Sequence, residues 1–285
     1  TEDGLVEWID NYLQSRRIVV NLNGTATTRH LVRGTPQGGV LSPLLWCIAF
    51  DEVLEIFPDL GPILAVGFAD DLILICGGLD LDTMVRRLQP ALHQVAEWGA
   101  RNLLHFSPAK SAAMLFTRKY KMQPKLDGLK LHLNKGVIPW VSGFKYLGVY
   151  LDQRLSFVPH IKQRIKAAKQ ALFRYRALAQ KNWGPIPNLM KWMWTGIVRP
   201  ALTYASPVWS DVTDKPSICA ELRKLNRLGA LALGPIRRQT PTVGLEVLAY
   251  LPPLDLYIKE QALNALVRLE RNLPITWDGL GKGTT

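Results

Sequence analysis

Two apolar runs separated by a pair of adjacent aspartates occupy residues 63–76, which read ILAVGFADDLILIC. Apolar runs of this length around a short polar break predict a β-hairpin with Asp70 and Asp71 at its tip. Asp is a common turn residue, but two-residue hairpin loops usually include Gly because their residues have positive φ. Neighbouring carboxylates also repel each other, and a divalent cation would relieve that repulsion. The segment therefore allows two interpretations, a plain turn or a magnesium site.

A glycine-rich loop lies upstream, where residues 33–46 read RGTPQGGVLSPLLW. Ser42 is a candidate helix N-cap and Pro43 suits a first turn, so we expect a largely apolar helix to begin here. Glycine lets a backbone approach a ligand closely, and Gln37 can both donate and accept hydrogen bonds. Spacing alone favours an ordinary loop before a core helix over a ligand site.

The positive charge of the chain is concentrated in one stretch. Residues 153–210 contain no Asp or Glu but ten Lys and Arg, which is +10 of the formal net charge of +12. Helical spacing predicts a buried face made of Ile161, Ile165, Ala168, Leu172 and Tyr175. A basic stripe of Lys162, Lys166 and Lys169 lies beside it. Such a helix suits an acidic lipid surface, a calmodulin-like partner or plain solvation, but the long acid-free stretch favours nucleic-acid phosphates.

Composition bounds the class of protein. A chain of 285 residues can bury a sizeable core in one or two domains, and 48% hydrophobic residues with nine Trp argue against disorder. The three cysteines show no disulfide or zinc spacing and suit a reducing, intracellular compartment. The sequence contains no run of 18 apolar residues, so it predicts no membrane span. The first residues have no signal-peptide character and no initiator Met, so we expect a piece of a longer chain.

Together these segments resemble the reverse transcriptase family, specifically the enzymes of non-LTR (LINE-type) retrotransposons. Residues 33–46 resemble the loop and helix that line the template and nucleotide site. Residues 68–71 resemble the catalytic hairpin, with Phe where many relatives carry Tyr, and residues 106–116 resemble the next palm motif with its lysine. Residues 144–152 (FKYLGVYLD) resemble the hairpin that holds the primer end. Residues 200–209 resemble the thumb region, and residues 240–242 and 251–254 resemble the C-terminal extension.

The resemblance implies roles for individual residues. Asp70 and Asp71 would bind Mg²⁺ at a two-metal site for nucleotidyl transfer. Lys110 would neutralise or protonate the leaving pyrophosphate, although by itself it is equally an exposed lysine after a loop. The implied nucleotide and template contacts are Arg33, Gly34, Pro36, Gln37, Gly38 and Phe68. The implied primer-positioning residues are Tyr146, Leu147 and Gly148. The basic residues expected to contact nucleic acid are Lys162, Lys166, Lys169, Arg174 and Arg176.

The implied partners are an RNA template, a DNA primer and deoxynucleotide triphosphates, with no membrane and a nuclear site of action. The family's other catalytic aspartate belongs to a strand upstream of the first helix, which this chain does not include. We therefore expect the two-metal Mg²⁺ site to be incomplete in this chain and the polypeptide as given to be inactive as a polymerase. Three hypotheses follow: part of an active RNA-directed DNA polymerase, a non-catalytic nucleic-acid-binding remnant of a retroelement, or an unrelated globular protein.

The expected architecture is α+β, a partial polymerase palm followed by a mainly helical thumb. The palm would cover residues 1–155, as an antiparallel sheet with packed helices. The basic thumb would cover residues 156–250, with a mainly helical pattern from Pro159 onward, and the C-terminal extension residues 251–285. Trp183, Trp192 and Trp194 are expected in the thumb core rather than as platforms for base stacking. The pattern predicts a helix over residues 5–15, a hairpin around Asn23 and Gly24, and a helix from Leu81 to Leu92 or beyond. It also predicts strands near residues 112–116 and 146–151.

Overall fold

The computed structural model describes residues 2–14, 16–31, 33–57, 63–117, 128–177, 186–233 and 236–272. These residues form two compact units. The first contains the described parts of residues 1–113 and 123–140, and the second those of residues 114–122 and 141–285. Both combine helices with small antiparallel sheets, which confirms the α+β class. The division into palm, thumb and C-terminal extension remains a prediction.

The first unit contains three α-helices and six strands in its described residues. In chain order they are α1 (Glu2–Leu13), β1 (Arg16–Leu22), β2 (Thr25–Leu31), α2 (Ser42–Leu54), β3 (Ile63–Phe68), β4 (Asp71–Cys76), α3 (Leu81–Arg101), β5 (Leu131–Leu133) and β6 (Gly136–Ile138). A 3₁₀ turn at Pro108–Lys110 precedes β5. The predicted hairpin around Asn23 and Gly24 is confirmed. These residues have φ values of 49° and 83°, as a two-residue Asn-Gly turn requires.

The core of the first unit holds helix α2 against strand β3. Phe50 and Val53 of α2 are buried with Trp98 of α3, and the Phe50 and Trp98 rings meet edge to face with centroids 5.9 Å apart. Gly67 of β3 allows this approach, because a Cβ atom there would lie 3.0 Å from Cε1 of Phe50. The aspartate hairpin that continues from β3 is therefore attached to a packed helix.

One prediction about the strands is wrong. Near residues 112–116, the described structure has only an isolated parallel bridge between Ala113 and Trp140. The expected antiparallel pairing is present, and the strands of the described residues form four separate two-stranded antiparallel ladders. Each strand pairs with its neighbour in sequence through a short loop. Such pairing has the smallest entropy cost of loop closure.

The second unit begins with a hairpin and continues as helices. Its elements are β7 (Gly143–Tyr146), β8 (Val149–Asp152), α4 (Val158–Ala177), α5 (Pro187–Met193), α6 (Arg199–Thr203), α7 (Ser206–Trp209), α8 (Pro216–Leu231), α9 (Thr242–Ala249) and α10 (Leu254–Asn272). A π-helical segment, Trp194–Val198, joins α5 to α6. Pro200 follows it and has no N–H group for an i→i−4 bond, which explains the local change of helix type. The prediction of a helical region from residue 159 onward is confirmed.

The core of the second unit confirms the apolar face predicted for α4. Ile161, Ile165, Ala168 and Leu172 are all buried in one cluster with Trp194 and Trp209. Of Trp183, Trp192 and Trp194, all expected in the thumb core, Trp194 is 2% exposed but Trp192 is 60% exposed. Residues two apart on a helix lie about 200° around its axis, so the two cannot both face the core. Trp183 and the Tyr175 side chain lie outside the described residues.

Buried polar side chains tie α10 and its preceding loop to the same core. Asn226 of α8 is fully buried, and its Nδ2 donates to Glu246 Oε1 at 2.8 Å and to the Pro252 carbonyl at 3.2 Å. Arg199, 4% exposed, donates from Nη2 to the same carbonyl at 3.2 Å. Buried polar groups need such partners, so these bonds fix the path of the Leu251–Pro253 loop into α10.

Candidate active site

The aspartate hairpin has an unexpected turn. Strands β3 and β4 pair Phe68 with Asp71, which leaves Ala69 and Asp70 as the two turn residues. Ala69 has a φ of 51° and supplies the positive φ that such a turn needs. The hairpin is therefore confirmed, but the assumption that Asp70 and Asp71 together form its loop is wrong, since Asp71 begins β4. Both aspartates are exposed, so their carboxylates are accessible to a cation and its substrate.

Helix α2 holds this turn directly. The indole Nε1 of Trp46 donates a 2.7 Å hydrogen bond to the carbonyl of Ala69. The Trp46 ring stacks on Phe50, with centroids 5.5 Å apart. Trp46 belongs to the glycine-rich segment, but the sequence pattern indicated no role for it. The residue type is the one signal that could have indicated this contact, because a Trp N–H in a packed setting usually has a hydrogen-bond acceptor.

The glycine-rich loop before α2 is fixed by several hydrogen bonds. Ser42 Oγ donates to the Pro36 carbonyl at 2.6 Å, and Arg16 Nη2 donates to the Gly34 carbonyl at 2.6 Å. Gly34 and Gly38 have φ values of 72° and 87°, which favour glycine. The predicted N-cap is wrong: Leu41 holds that position and makes no side-chain capping bond. Ser42 uses its hydroxyl to close the loop instead.

The described candidates in this loop face solvent to different degrees. Arg33, Gly34, Gln37 and Gly38 are exposed, whereas Pro36 is half-buried. Phe68, the last residue of β3, is 57% exposed. The structure thus joins the helix that follows the loop to the aspartate turn within one unit. The nucleotide and template roles of these residues remain predictions.

Lys110 ends the 3₁₀ turn Pro108–Lys110 in the same unit and is exposed. The turn is stabilised by Ser111 Oγ, which donates to the Ser107 carbonyl at 2.9 Å, and by Asn134 Nδ2, which donates to the Phe106 carbonyl at 2.8 Å. The side chain is accessible for a phosphate. Its assignment to pyrophosphate remains a prediction.

The candidate primer-positioning residues lie in the second unit, at the turn of the β7–β8 hairpin. Tyr146 pairs with Val149, and Leu147 and Gly148 form the turn with φ values of 43° and 82°. Two side chains that sequence reasoning did not single out contact this turn. Tyr204 Oη donates to the Leu147 carbonyl at 2.8 Å, and Arg164 Nη2 donates to the Gly148 carbonyl at 2.9 Å. No local pattern indicates either contact, because Tyr204 lies 57 residues from Leu147 and Arg164 lies 16 residues from Gly148.

The basic stripe of α4 is accessible. Lys162, Lys166 and Arg174 are exposed, and Lys169 is half-buried. The side chain of Arg176 lies outside the described residues. The exposed cations share a helix whose apolar face is in the core, so they are presented to solvent by a fixed scaffold. Binding to nucleic acid through them remains a prediction.

A buried histidine links α4 to strand β8. His160 is 2% exposed, and its Nδ1 accepts a 3.1 Å hydrogen bond from the backbone N–H of Tyr150. Burial lowers the pKa of His160 to about 4, and the positive charges of Arg164 and Lys145 act in the same direction. The imidazole is therefore neutral at physiological pH and serves as a structural acceptor beside the primer-positioning turn.

Two adjacent carboxylates are the metal-binding groups that the hairpin offers. Within the described residues, no cluster of three or more His, Cys, Asp or Glu side chains could hold a metal ion. Mg²⁺ in polymerase-type sites is commonly bound by one or two carboxylates, with substrate phosphates and water completing its shell. Asp70 and Asp71 therefore fit part of such a site, and their role as metal ligands remains a prediction.

Comparison with known proteins identifies the family of this chain. A family model described as "Reverse transcriptase (RNA-dependent DNA polymerase)" matches residues 1–151, more than half of the chain. The chain belongs to the reverse transcriptase family. No solved structure matches it. In the described part of this reverse transcriptase chain, no helix combines the length and apolar character needed to cross a membrane.

Its curated relatives are proteins of retrotransposable elements. The chain is 27% identical over 268 residues to a putative 115 kDa protein in type-1 retrotransposable element R1DM of Drosophila melanogaster, covering 93% of the chain and 25% of the relative. It is 27% identical to a probable RNA-directed DNA polymerase from transposon X-element of the same species, covering 72% of the chain and 22% of that relative. A retrovirus-related Pol polyprotein from type-1 retrotransposable element R1 of Nasonia vitripennis is 24% identical, covering 78% of the chain and 66% of that relative.

These relatives confirm the predicted resemblance to reverse transcriptases of non-LTR retrotransposons. The reverse transcriptase chain spans about a quarter of the length of the two Drosophila relatives.

Proposed function

We propose that this chain is the palm and thumb portion of an RNA-directed DNA polymerase of a non-LTR retrotransposon. The observation that carries the proposal is the bond from Trp46 to the carbonyl of Ala69, which fixes the aspartate turn to the helix following the glycine-rich loop. A metal-binding turn and a nucleotide-binding loop must keep a constant separation for group transfer, because misplaced reactants lose the advantage of proximity.

In the proposed reaction, the 3′ hydroxyl of a DNA primer loses its proton to solvent water, and its oxygen bonds to the α-phosphorus of a deoxynucleotide. The bond between that phosphorus and the oxygen bridging to the β-phosphorus breaks, and pyrophosphate leaves. Asp70 and Asp71 would hold Mg²⁺, which when bound supplies stabilisation for the attacking and leaving oxygens. Lys110 would give a proton to the pyrophosphate.

The other candidates would bind and orient the substrates. Gly34 and Gly38 leave the backbone of the loop uncovered by side chains, and exposed Gln37 can pair with a nucleotide edge. Leu147 and Gly148 would support the primer end. Lys162 and Lys166 would neutralise phosphates along the template and primer. A nuclear site of action follows from the same resemblance.

Primer extension tests the proposal. The chain is incubated with an oligo(dT)-primed RNA template, deoxynucleotides and Mg²⁺, beside an Asp70→Ala, Asp71→Ala variant. The expectation that the chain as given is inactive predicts no extension by either protein. Extension by the intact chain that falls at least about a hundredfold in the variant would overturn that expectation and support Asp70 and Asp71 as metal ligands, because metal ligands support several kcal/mol of transition-state stabilisation. A Glu260→Ala, Glu270→Ala variant is the control, since it also removes two exposed carboxylates but lies on α10. Equal extension by both variants would refute the assignment.

A second function, nucleic-acid binding without catalysis, is favoured by the exposed Lys162 and Lys166 on α4. It predicts no extension by any variant, together with RNA binding that weakens steeply as salt rises, because released counterions drive phosphate contacts. Binding that does not change with salt would exclude both functions.

A further inference from the structure

The turn between β7 and β8 needs support from outside the hairpin. Leu147 has a φ of 43°, a conformation that a bulky residue seldom adopts without tertiary contacts. Leu147 is 37% exposed, so burial of its side chain is incomplete. The ladder contains only four pairs, from Gly143–Asp152 to Tyr146–Val149. A two-stranded ribbon of this size is marginal by itself.

Two side chains supply that support, and each donates a hydrogen bond to one carbonyl of the turn. Tyr204 Oη donates to the carbonyl of Leu147 and Arg164 Nη2 to the carbonyl of Gly148. The Arg164 guanidinium carbon lies 5.3 Å from the centroid of the Tyr204 ring, so the two side chains also stabilise each other. The turn is therefore held through its backbone, which leaves the outward side of the hairpin available.

The Tyr204 ring also explains the glycine. A Cβ atom on Gly148 would lie 2.8 Å from Cε1 of Tyr204, closer than side chains approach one another. Gly148 has in addition a φ of 82°. The same ring thus sets both the hydrogen bond at Leu147 and the close approach at Gly148.

The two supporting residues are themselves fixed to the core of the second unit. Arg164 lies on α4, whose neighbouring Ile161 and Ile165 are buried. Tyr204 follows α6, and its carbonyl accepts a 2.9 Å bond from Nε1 of Trp209, which is 1% exposed. The Tyr204 side chain is 49% exposed. Changing it therefore opens no cavity in the core.

We infer that Tyr204 and Arg164 are positioning residues, which hold the Leu147–Gly148 turn in the shape that receives the primer end. This inference rests on the proposed primer-positioning role of the turn. Neither side chain needs to touch the nucleic acid, because both act on carbonyl groups of the hairpin.

Hydrogen exchange of the backbone amides tests the inference. Tyr204→Phe removes one hydroxyl and keeps the ring, so we expect exchange at Tyr146 and Val149 to rise roughly two- to tenfold, as for the loss of one hydrogen bond. Tyr250→Phe is the control, because Tyr250 is 83% exposed and its ring lies near Lys191, 5.2 Å from Nζ. We expect the control to exchange like the wild type. Unchanged exchange in Tyr204→Phe would overturn the inference.

A second arm adds a primer–template made of oligo(dT) on RNA. In the wild type we expect the duplex to protect Tyr146 and Val149, and in Tyr204→Phe we expect this protection to weaken while the affinity for the duplex stays the same. Protection elsewhere but not at these amides would overturn the primer role. Failure of the proposed polymerase function is a separate result, namely equal extension by the wild type and the Asp70→Ala, Asp71→Ala variant, and the exchange rates of the free protein still decide whether Tyr204 holds the turn.

Discussion

His160 makes the stability of the second unit depend on pH between about 4 and 6.5. In the folded protein the pKa of His160 is lowered to about 4 by burial first and then by Arg164 and Lys145, against an ordinary value of 6.5. Between these two values the unfolded chain binds the proton and the folded chain does not. The free energy of unfolding therefore falls as the pH is lowered through this window.

The size of the effect follows from the two pKa values. Between pH 7.5 and pH 5.0 the linkage relation gives a loss of about 2 kcal/mol from this one group. Rearrangement of the folded protein around a protonated His160 should not cancel this loss of unfolding free energy. Nδ1 of His160 already accepts from the N–H of Tyr150, so a proton on that nitrogen would break the bond.

Urea titrations followed by Trp fluorescence measure the loss, since the Trp209 ring lies 5.6 Å from the imidazole. His160→Gln keeps an acceptor for Tyr150 but does not titrate. We expect its free energy of unfolding to fall by about 2 kcal/mol less than that of the wild type between pH 7.5 and 5.0. Carboxylates elsewhere contribute equally to both proteins and cancel. His105→Gln, which removes an exposed histidine, is the control and should behave like the wild type. The reasoning is refuted if wild type and His160→Gln lose the same free energy.

Two further predictions concern tight or buried positions. Gly67→Ala should destabilise the first unit by about 1–2 kcal/mol, because its Cβ atom would press on Phe50. The loss of stability should be smaller in a Phe50→Leu background. A midpoint of urea unfolding that does not move in Gly67→Ala would contradict the packing. Asp152→Ala should cost about 1–2 kcal/mol, since its carboxylate accepts from the N–H groups of Ser156 and Phe157 at 3.2 and 2.9 Å. Burial raises the pKa of Asp152, but these bonds outweigh it and the net pKa is lowered. The difference from wild type in thermal melts should therefore diminish as acid protonates the carboxyl, and a constant difference would argue against the bonds.

Local signals predicted the elements that depend on neighbouring residues. Asn23 and Gly24 can both adopt positive φ, so the first hairpin follows from two residues. The apolar period of α4 identified Ile161 and Ile165 as buried because a helix repeats its faces every three or four residues. Resemblance to a family then assigned chemistry to Asp70, which composition and spacing had left open between a turn and a metal site.

Contacts between distant segments decided the rest. The exposed Trp192 near a buried Trp194 and the bond from Trp46 to Ala69 depend on which elements pack together. The same holds for Tyr204, which lies 57 residues from the Leu147 carbonyl that it binds. Sequence alone determined the first hairpin, the aspartate hairpin, the buried face of α4 and the residue types available for catalysis, because those follow from local backbone preferences and periodicity. Only the tertiary structure decided which side chains hold the two candidate turns, because such bonds form where chain packing brings a donor to a carbonyl, and no local pattern records that meeting.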